Sequence, residues 1–211
     1  MSCNCRFFRL HSRHVGVRAI IPDETASVSE NVVRPTPSSL PFKCEWHPTG
    51  DKAKKAAGMD LVLWRHAEAH EWTQGCDDMA RPLTARGERQ AARMATWLDR
   101  QLPENTRIFA SPACRAEQTA SALDRKFKVK PTLGPMCVAS DLLELVQWPD
   151  AKGTLLVVGH QPTLGQVIAQ LIGLKLAECP VRKGSVWWLR NRQRETFSQT
   201  VVVAVQSPEL L

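Results

Sequence analysis

The runs Asp60–Trp64 (DLVLW) and Thr154–Gly159 (TLLVVG) are strand-length stretches of almost uninterrupted apolar residues. A strand that buries one face alternates apolar with polar side chains. A strand covered on both faces does not. Neither run alternates, so each is expected to lie inside a sheet with helices packed on its two sides. The intervening sequence supplies those helices. Thr84 can cap a helix over Ala85–Leu102, with Ala91, Ala95, Leu98 and Leu102 along one side and Pro103 as its stop. Arg107–Ala110 is a further strand, broken by Ser111-Pro112. Arg115–Phe127 reads as helical. Ser140 is placed to cap a helix over Asp141–Trp148, which Pro149 ends. Pro162 opens a helix to Leu171, with Gly173 as its stop. Ser185–Leu189 and Phe197–Val205, separated by a polar turn, suggest a closing hairpin. Strands alternating with helices give an α/β chain: a three-layer sandwich with a mostly parallel central sheet and helices on both faces.

Three polar motifs share one position in this pattern. Arg65-His66 follows the first strand, Ser111-Pro112-x-x-Arg115 follows the second, and Gly159-His160 follows TLLVV. In an open α/β sheet, ligands bind at the carboxyl ends of the strands. Two histidines and two arginines, distant in sequence, are therefore delivered to one sheet edge. Each motif alone is most simply a surface turn, and Arg115 alone a solvated helix residue. Their joint occurrence is what carries weight. The residue types suit a phosphoryl group. Arginine offers a planar fork that pairs with phosphate oxygens and stays charged. A neutral imidazole is a competent nucleophile towards phosphorus, and nearby cations keep it neutral. By residue type alone, His66 and His160 are equivalent candidates for that role.

Residues 1–58 read differently from residues 59–211. Val33–Pro41 holds Pro35, Pro37 and Pro41 among Ser and Thr, and Asp51–Ala57 is a Lys/Ala spacer. We read residues 1–58 as a poorly ordered N-terminal extension and residues 59–211 as the catalytic domain. Met59 immediately precedes the first strand, so an upstream start-site artefact is one reading of the extension. A targeting peptide is another, because Cys5–Ile20 is arginine-rich and lacks acids. Of the net charge of +7, the extension carries nine basic against five acidic residues, and the domain nineteen against sixteen. The domain is thus only mildly basic, which argues against a nucleic-acid groove but not against an anionic substrate. Seven cysteines without a spacing pattern fit reduced thiols and a cytoplasmic protein. No stretch approaches the roughly 18–20 apolar residues of a membrane span.

Two metal readings are weak. Cys3, Cys5, Cys44 and His47 do not match structural zinc spacings. His66, Glu68 and His70 lack the His-Glu-x-x-His spacing, and Glu68, His70 and Glu71 are expected to be loop residues beside the pocket.

Taken with their order, the stretches Leu61–Glu68 (LVLWRHAE), Arg81–Gly87 (RPLTARG), Ser111–Ala120 (SPACRAEQTA) and Val157–Gly165 (VVGHQPTLG) resemble the histidine phosphatase superfamily, also called phosphoglycerate mutase-like. Within it they are most similar to the short SixA-type phosphohistidine phosphatases. Arg65-His66-Ala67 looks like the family's Arg-His-Gly signature with Ala67 in place of Gly. The resemblance spans nearly all of residues 59–205 and leaves residues 1–58 without a counterpart. It implies that His66 is the phosphorylated nucleophile. Arg65, Arg115 and His160 would complete the phosphate pocket, with Ser111 also binding substrate. Mutase-like relatives place a general-acid Glu after the strand that follows the Arg115 helix. Leu133–Ser140 (LGPMCVAS) has no acid there, and SixA-type proteins share that absence. It suits a phosphohistidine substrate, because a neutral imidazole leaves without a proton donor whereas an alkoxide needs one.

The expectation is therefore a phosphohistidine phosphatase acting on a phosphohistidine-containing protein or other phosphorylated substrate. It would work through a covalent intermediate, with no metal or cofactor and with neither nucleic acid nor membrane as partner. A small-molecule phosphomonoesterase of the same fold is the alternative among enzymes. A non-catalytic phosphohistidine-binding adaptor is the alternative outside them.

Overall fold

The computed structural model describes residues 58–193 and 197–211, all within the unit Gly50–Leu211. Apart from Gly58, the extension assigned to residues 1–58 lies outside the described residues, as do Cys3, Cys5, Cys44 and His47. Six strands form one sheet: β1 (Asp60–Arg65), β2 (Arg107–Ala110), β3 (Lys128–Val129), β4 (Thr154–Gly159), β5 (Val186–Gln193) and β6 (Ser198–Gln206). Their spatial order is β3-β2-β4-β1-β5-β6. β1, β2, β3 and β4 run parallel, and β5 pairs antiparallel with both β1 and β6. The sheet is thus mostly parallel, with the expected hairpin added beside β1.

The non-alternating runs behave as two-faced strands. Val62 and Trp64 of β1, with Leu156 and Val158 of β4, point to one side. There they meet Met94, Ala95 and Leu98 of α1 (Ala85–Gln101) and Ala116 and Ala120 of α2 (Cys114–Ser121). Leu61, Leu63, Leu155 and Val157 point to the other side. They meet Leu142 and Val146 of α3 (Ala139–Val146) and Leu164, Val167 and Ile168 of α4 (Thr163–Ile172). Each fully buried leucine contributes roughly 1.5–3 kcal/mol of transfer free energy, so the two cores together hold the sheet between its helical layers.

Helix boundaries follow the sequence signals at some ends and depart at others. The Thr84 hydroxyl accepts from the Gly87 N–H, so α1 starts where expected. Gly173, at φ +70°, ends α4. The helix expected over Arg115–Phe127 instead ends at Ser121. Asp124 takes a left-handed conformation (φ +53°), Leu123 turns into the core, and the chain is redirected to place Lys128–Val129 beside β2. Helix α3 begins at Ala139, two residues earlier than a Ser140 cap would start it. The Ser140 hydroxyl donates to the Asp141 carboxylate, and Gln147 (φ +56°) ends the helix before Trp148.

Candidate active site

Because β1, β2 and β4 are parallel neighbours, their carboxyl ends open on one edge. Arg65 is the last residue of β1 and pairs with Gly159. The His66 N–H then donates to the Gly159 carbonyl at 3.1 Å, and the Ser111 N–H to the Val158 carbonyl at 3.0 Å. His66, Ser111 and His160 are thereby pinned to adjacent strand ends. Arg115 sits in the first turn of α2. The Thr119 hydroxyl links that helix to the His66 loop by accepting from the Ala67 N–H at 3.1 Å and donating to the Arg115 carbonyl at 2.6 Å. On the other side of the loop, the Glu68 carbonyl accepts from the Thr84 N–H at 3.0 Å. Gly87 presses against it: a Cβ there would lie 1.9 Å from the Glu68 carbonyl oxygen, a separation that only glycine permits.

The partners of the two imidazoles fix their tautomers. His66 Nδ1 lies 2.7 Å from the Ala67 carbonyl oxygen. A carbonyl only accepts, so Nδ1 carries the proton and Nε2 keeps its lone pair. His160 is held by the opposite nitrogen. Its Nε2 lies 2.7 Å from the Ser111 hydroxyl, and its Nδ1 faces an Arg115 N–H at 3.5 Å. An arginine only donates, so Nδ1 is the bare nitrogen and Nε2–H donates to Ser111. The Ser111 oxygen also accepts from the Ala113 N–H at 3.2 Å.

Both arginines are held by part of their guanidinium group. Arg115 donates to the Asp78 carbonyl at 2.6 Å and to the Asp78 carboxylate at 3.0 Å. Arg65 donates to the Val181 carbonyl at 2.5 Å. In each, the buried Nε–H has no partner among the described residues. Buried donors without an acceptor are uncommon, and an anion bound between these side chains would supply one. The Asp78 carboxylate also receives Arg81, at 2.9 Å from Nε. Partial burial pushes its carboxyl up, but the hydrogen bonds from Arg81 and Arg115 outweigh this and hold it below its ordinary value. Asp78 therefore stays ionised as the anchor of two arginines.

Arg65, His66, Arg115 and His160 line a cavity of about 220 Å³ together with Ala69, Arg81, Pro135, Gln161 and Lys183. Four of the lining residues are cationic. Among the described residues that line it, none carries a carboxylate. Burial, reinforced by His160, Arg115 and Arg65, brings His66 down to about 3 despite the opposing bond to Ala67. Burial and Arg115 bring His160 down to about 4, with Asp78 opposing. Both rings are therefore neutral near pH 7. Burial alone also lowers Arg65.

The structure brings together His66, His160, Arg65 and Arg115, as the strand-end motifs predict. It places Ser111 behind His160, fully buried and away from the cavity surface. Glu68 turns to the Thr84 hydroxyl at 2.9 Å and to Arg86 at 3.5 Å, while His70 and Glu71 are exposed and outside the cavity lining. Arg81, Asp78, Gln161 and Lys183 were not singled out from sequence. Lys183 reaches the site only because β5 runs back antiparallel to β1, which brings the loop before β5 against Arg65. Arg81 lies in a stretch quoted above, but its role depends on the turn at Asp78–Ala80, which no sequence signal marked.

Residues 61–136 match the model of the histidine phosphatase superfamily, branch 1. The chain is 32% identical over 123 residues to phosphohistidine phosphatase SixA of Escherichia coli, covering 74% of that protein and 54% of this chain. The chain belongs to the histidine phosphatase superfamily. Within it, the chain is of the SixA type. A SixA homologue of Haemophilus influenzae is 28% identical over 158 residues, or 95% of its length and 67% of this chain. A solved structure of the protein histidine phosphatase SixA complexed with tungstate superimposes with a TM-score of 0.58 at 25% identity, covering 99% of that chain and 72% of this one. The three-layer fold is thus that of SixA and phosphoglycerate mutase-like proteins. A phosphatase-type hydrolase is the activity that this membership supports. Among the described residues, no helix is long and apolar enough to cross a membrane.

Proposed function

We infer that this SixA-type chain removes the phosphoryl group from phosphohistidine on a protein, through a covalent intermediate on His66 and without a metal. The carrying observation is the cavity itself: two neutral imidazoles presenting bare nitrogens among four cations, with no carboxylic acid among its described lining residues. The tungstate held by the solved relative supports an oxyanion as occupant.

In the first step His66 Nε2 attacks phosphorus and the substrate's P–N bond breaks. With its other nitrogen protonated, the departing ring leaves as neutral imidazole, whose conjugate acid has an ordinary pKa of about 6.5. No proton donor is required. Arg65 and Arg115 carry the charge on the equatorial oxygens through their free Nε–H groups. His160 takes at Nδ1 the proton that a monoprotonated phosphoryl group carries in, and returns it as a hydrogen bond to a phosphate oxygen. In the second step water attacks phosphorus, the bond to Nε2 breaks, and the proton lost by water goes to the phosphate. His66 returns to its starting tautomer.

The testing experiment compares two peptides of the same sequence, one with phosphohistidine and one with phosphoserine, in the presence of a chelator. Turnover of the first at least about a hundredfold faster than the second, with phosphate trapped on His66 after acid-free quenching, is expected. Equal rates would favour the small-molecule phosphomonoesterase. Loss of activity with chelator would refute metal independence.

A further inference from the structure

A second concavity, about 280 Å³, lies on the exposed face of α1 and is lined by Arg86, Arg89, Gln90, Arg93, Pro208 and Glu209. The three arginines recur at helical spacing, so they line one stripe of α1. Arg182 acts electrostatically on Glu209 and so adds a fourth cation near the groove. Arg182 and Lys183 are consecutive. The first acts electrostatically on Glu209 of this groove and the second lines the catalytic cavity. The wall between the two is thin: Gly184 abuts Pro208 and Gln90, and the Gln90 side-chain carbonyl accepts from the Glu68 N–H at 3.0 Å, next to cavity-lining Ala69.

The charges in the groove are unbalanced. Arg86 lies 3.5 Å from Glu68. Glu209 accepts from Gln90 at 3.2 Å and from the Ser207 hydroxyl, and Arg182 acts on it electrostatically. Arg89 and Arg93 are exposed and have no ion pair among the described residues. The groove therefore already seats one carboxylate, Glu209, and holds two further guanidinium forks open. A concave site lined by arginines with no aromatic platform suits carboxylates of a protein better than stacked bases.

The geometry points to this groove as the docking surface for acidic side chains that flank the phosphohistidine of the protein substrate. The inference rests on the phosphohistidine reading above and adds how a partner is selected: the phosphate enters the catalytic cavity while Asp or Glu residues beside it engage Arg89 and Arg93. Such rim charges govern encounter and specificity more than chemistry.

The test uses the full chain and two phosphohistidine peptides of about a dozen residues, roughly 40 Å when extended at ~3.3 Å per residue. One carries glutamates around the phosphohistidine and the other carries glutamines. Wild type is expected to prefer the glutamate peptide by about tenfold in kcat/KM, with the preference shrinking as salt rises. R89E/R93E is expected to abolish or invert the preference while leaving turnover of the glutamine peptide and of an aryl phosphate unchanged. Equal use of both peptides by wild type, or an equal loss on all substrates in the variant, overturns the docking proposal and leaves the phosphohistidine reading intact. Failure of wild type to turn over either peptide while hydrolysing the aryl phosphate overturns the underlying reading instead. Competition by an oligonucleotide, with no peptide preference, would assign the arginines to nucleic acid and also overturns it.

Discussion

His66 and His160 lie side by side in the lining of the cavity, with ring centroids 5.1 Å apart and planes tilted by 54°. They are tied down by opposite ring nitrogens, His66 through Nδ1 and His160 through Nε2. Two identical side chains thus offer two chemically different faces. The unprotonated Nε2 of His66 is fixed by a backbone carbonyl that cannot change its role. The bare Nδ1 of His160 lies beside Arg115, where a bound dianion would make protonation favourable.

From this asymmetry, His66→Ala should remove turnover and phosphoenzyme formation together, a fall of at least about 10⁴-fold in kcat. His160→Ala should retain slow phosphorylation of His66. Single-turnover measurements with a labelled phosphodonor separate the two. Phosphoenzyme accumulation in the His66 variant would reassign the nucleophile.

Ser111 touches His160 and does not line the cavity, so we expect it to act as a positioning residue. Ser111→Ala deletes one hydroxyl and frees the His160 Nε2–H, so the ring can flip or rotate. The expected result is a fall of about tenfold in kcat with little change in KM, and Ser111→Thr should recover part of it. A rise in KM alone would place Ser111 in substrate binding instead.

Replacing Arg115 by Lys retains the charge but loses the fork that Asp78 grips on one side while Nε–H stays free on the other. We expect kcat/KM to drop about a hundredfold and tungstate to inhibit more weakly. Unchanged inhibition would show that charge alone suffices.

The lowered histidine values set two pH dependences. With His66 near 3 and His160 near 4, kcat/KM corrected for substrate ionisation should be flat from pH 5 to 8. An enzyme-borne limb near pH 6.5 would contradict the burial of both rings. Stability moves the other way from a paired histidine. The unfolded chain takes up protons at about 6.5 while the folded chain does not, so stability is full above that pH. It declines as pH falls towards 4 and 3. Each ring steepens the decline by up to ~1.4 kcal/mol per pH unit. Denaturant titrations from pH 7 to 4 should show a shallower acid limb in His160→Ala.

The α/β architecture was legible because β1 and β4 are covered on both faces and their residues show it as unbroken apolar runs. The clustering of Arg65, His66, Arg115 and His160 was legible because parallel strands deliver whatever follows them to one edge. Asp78, Arg81 and Lys183 were not, since each reaches the site through tertiary structure: a lone turn before α1, and the antiparallel return of β5. The end of α2 was misjudged for a related reason. Local helix propensity continues past Ser121, but Asp124 gives way to the need to place β3 beside β2. Ser111 was visible as a polar residue at a strand end, yet only its partners reveal that it orients an imidazole.

The bare backbone of Gly87 against Glu68 gives the His66 loop no clearance from the first turn of α1. A tilt of that helix by a fraction of an ångström has no cushion of side chain to absorb it and passes straight to the loop two residues beyond His66. Helix, loop and imidazole are therefore expected to move together.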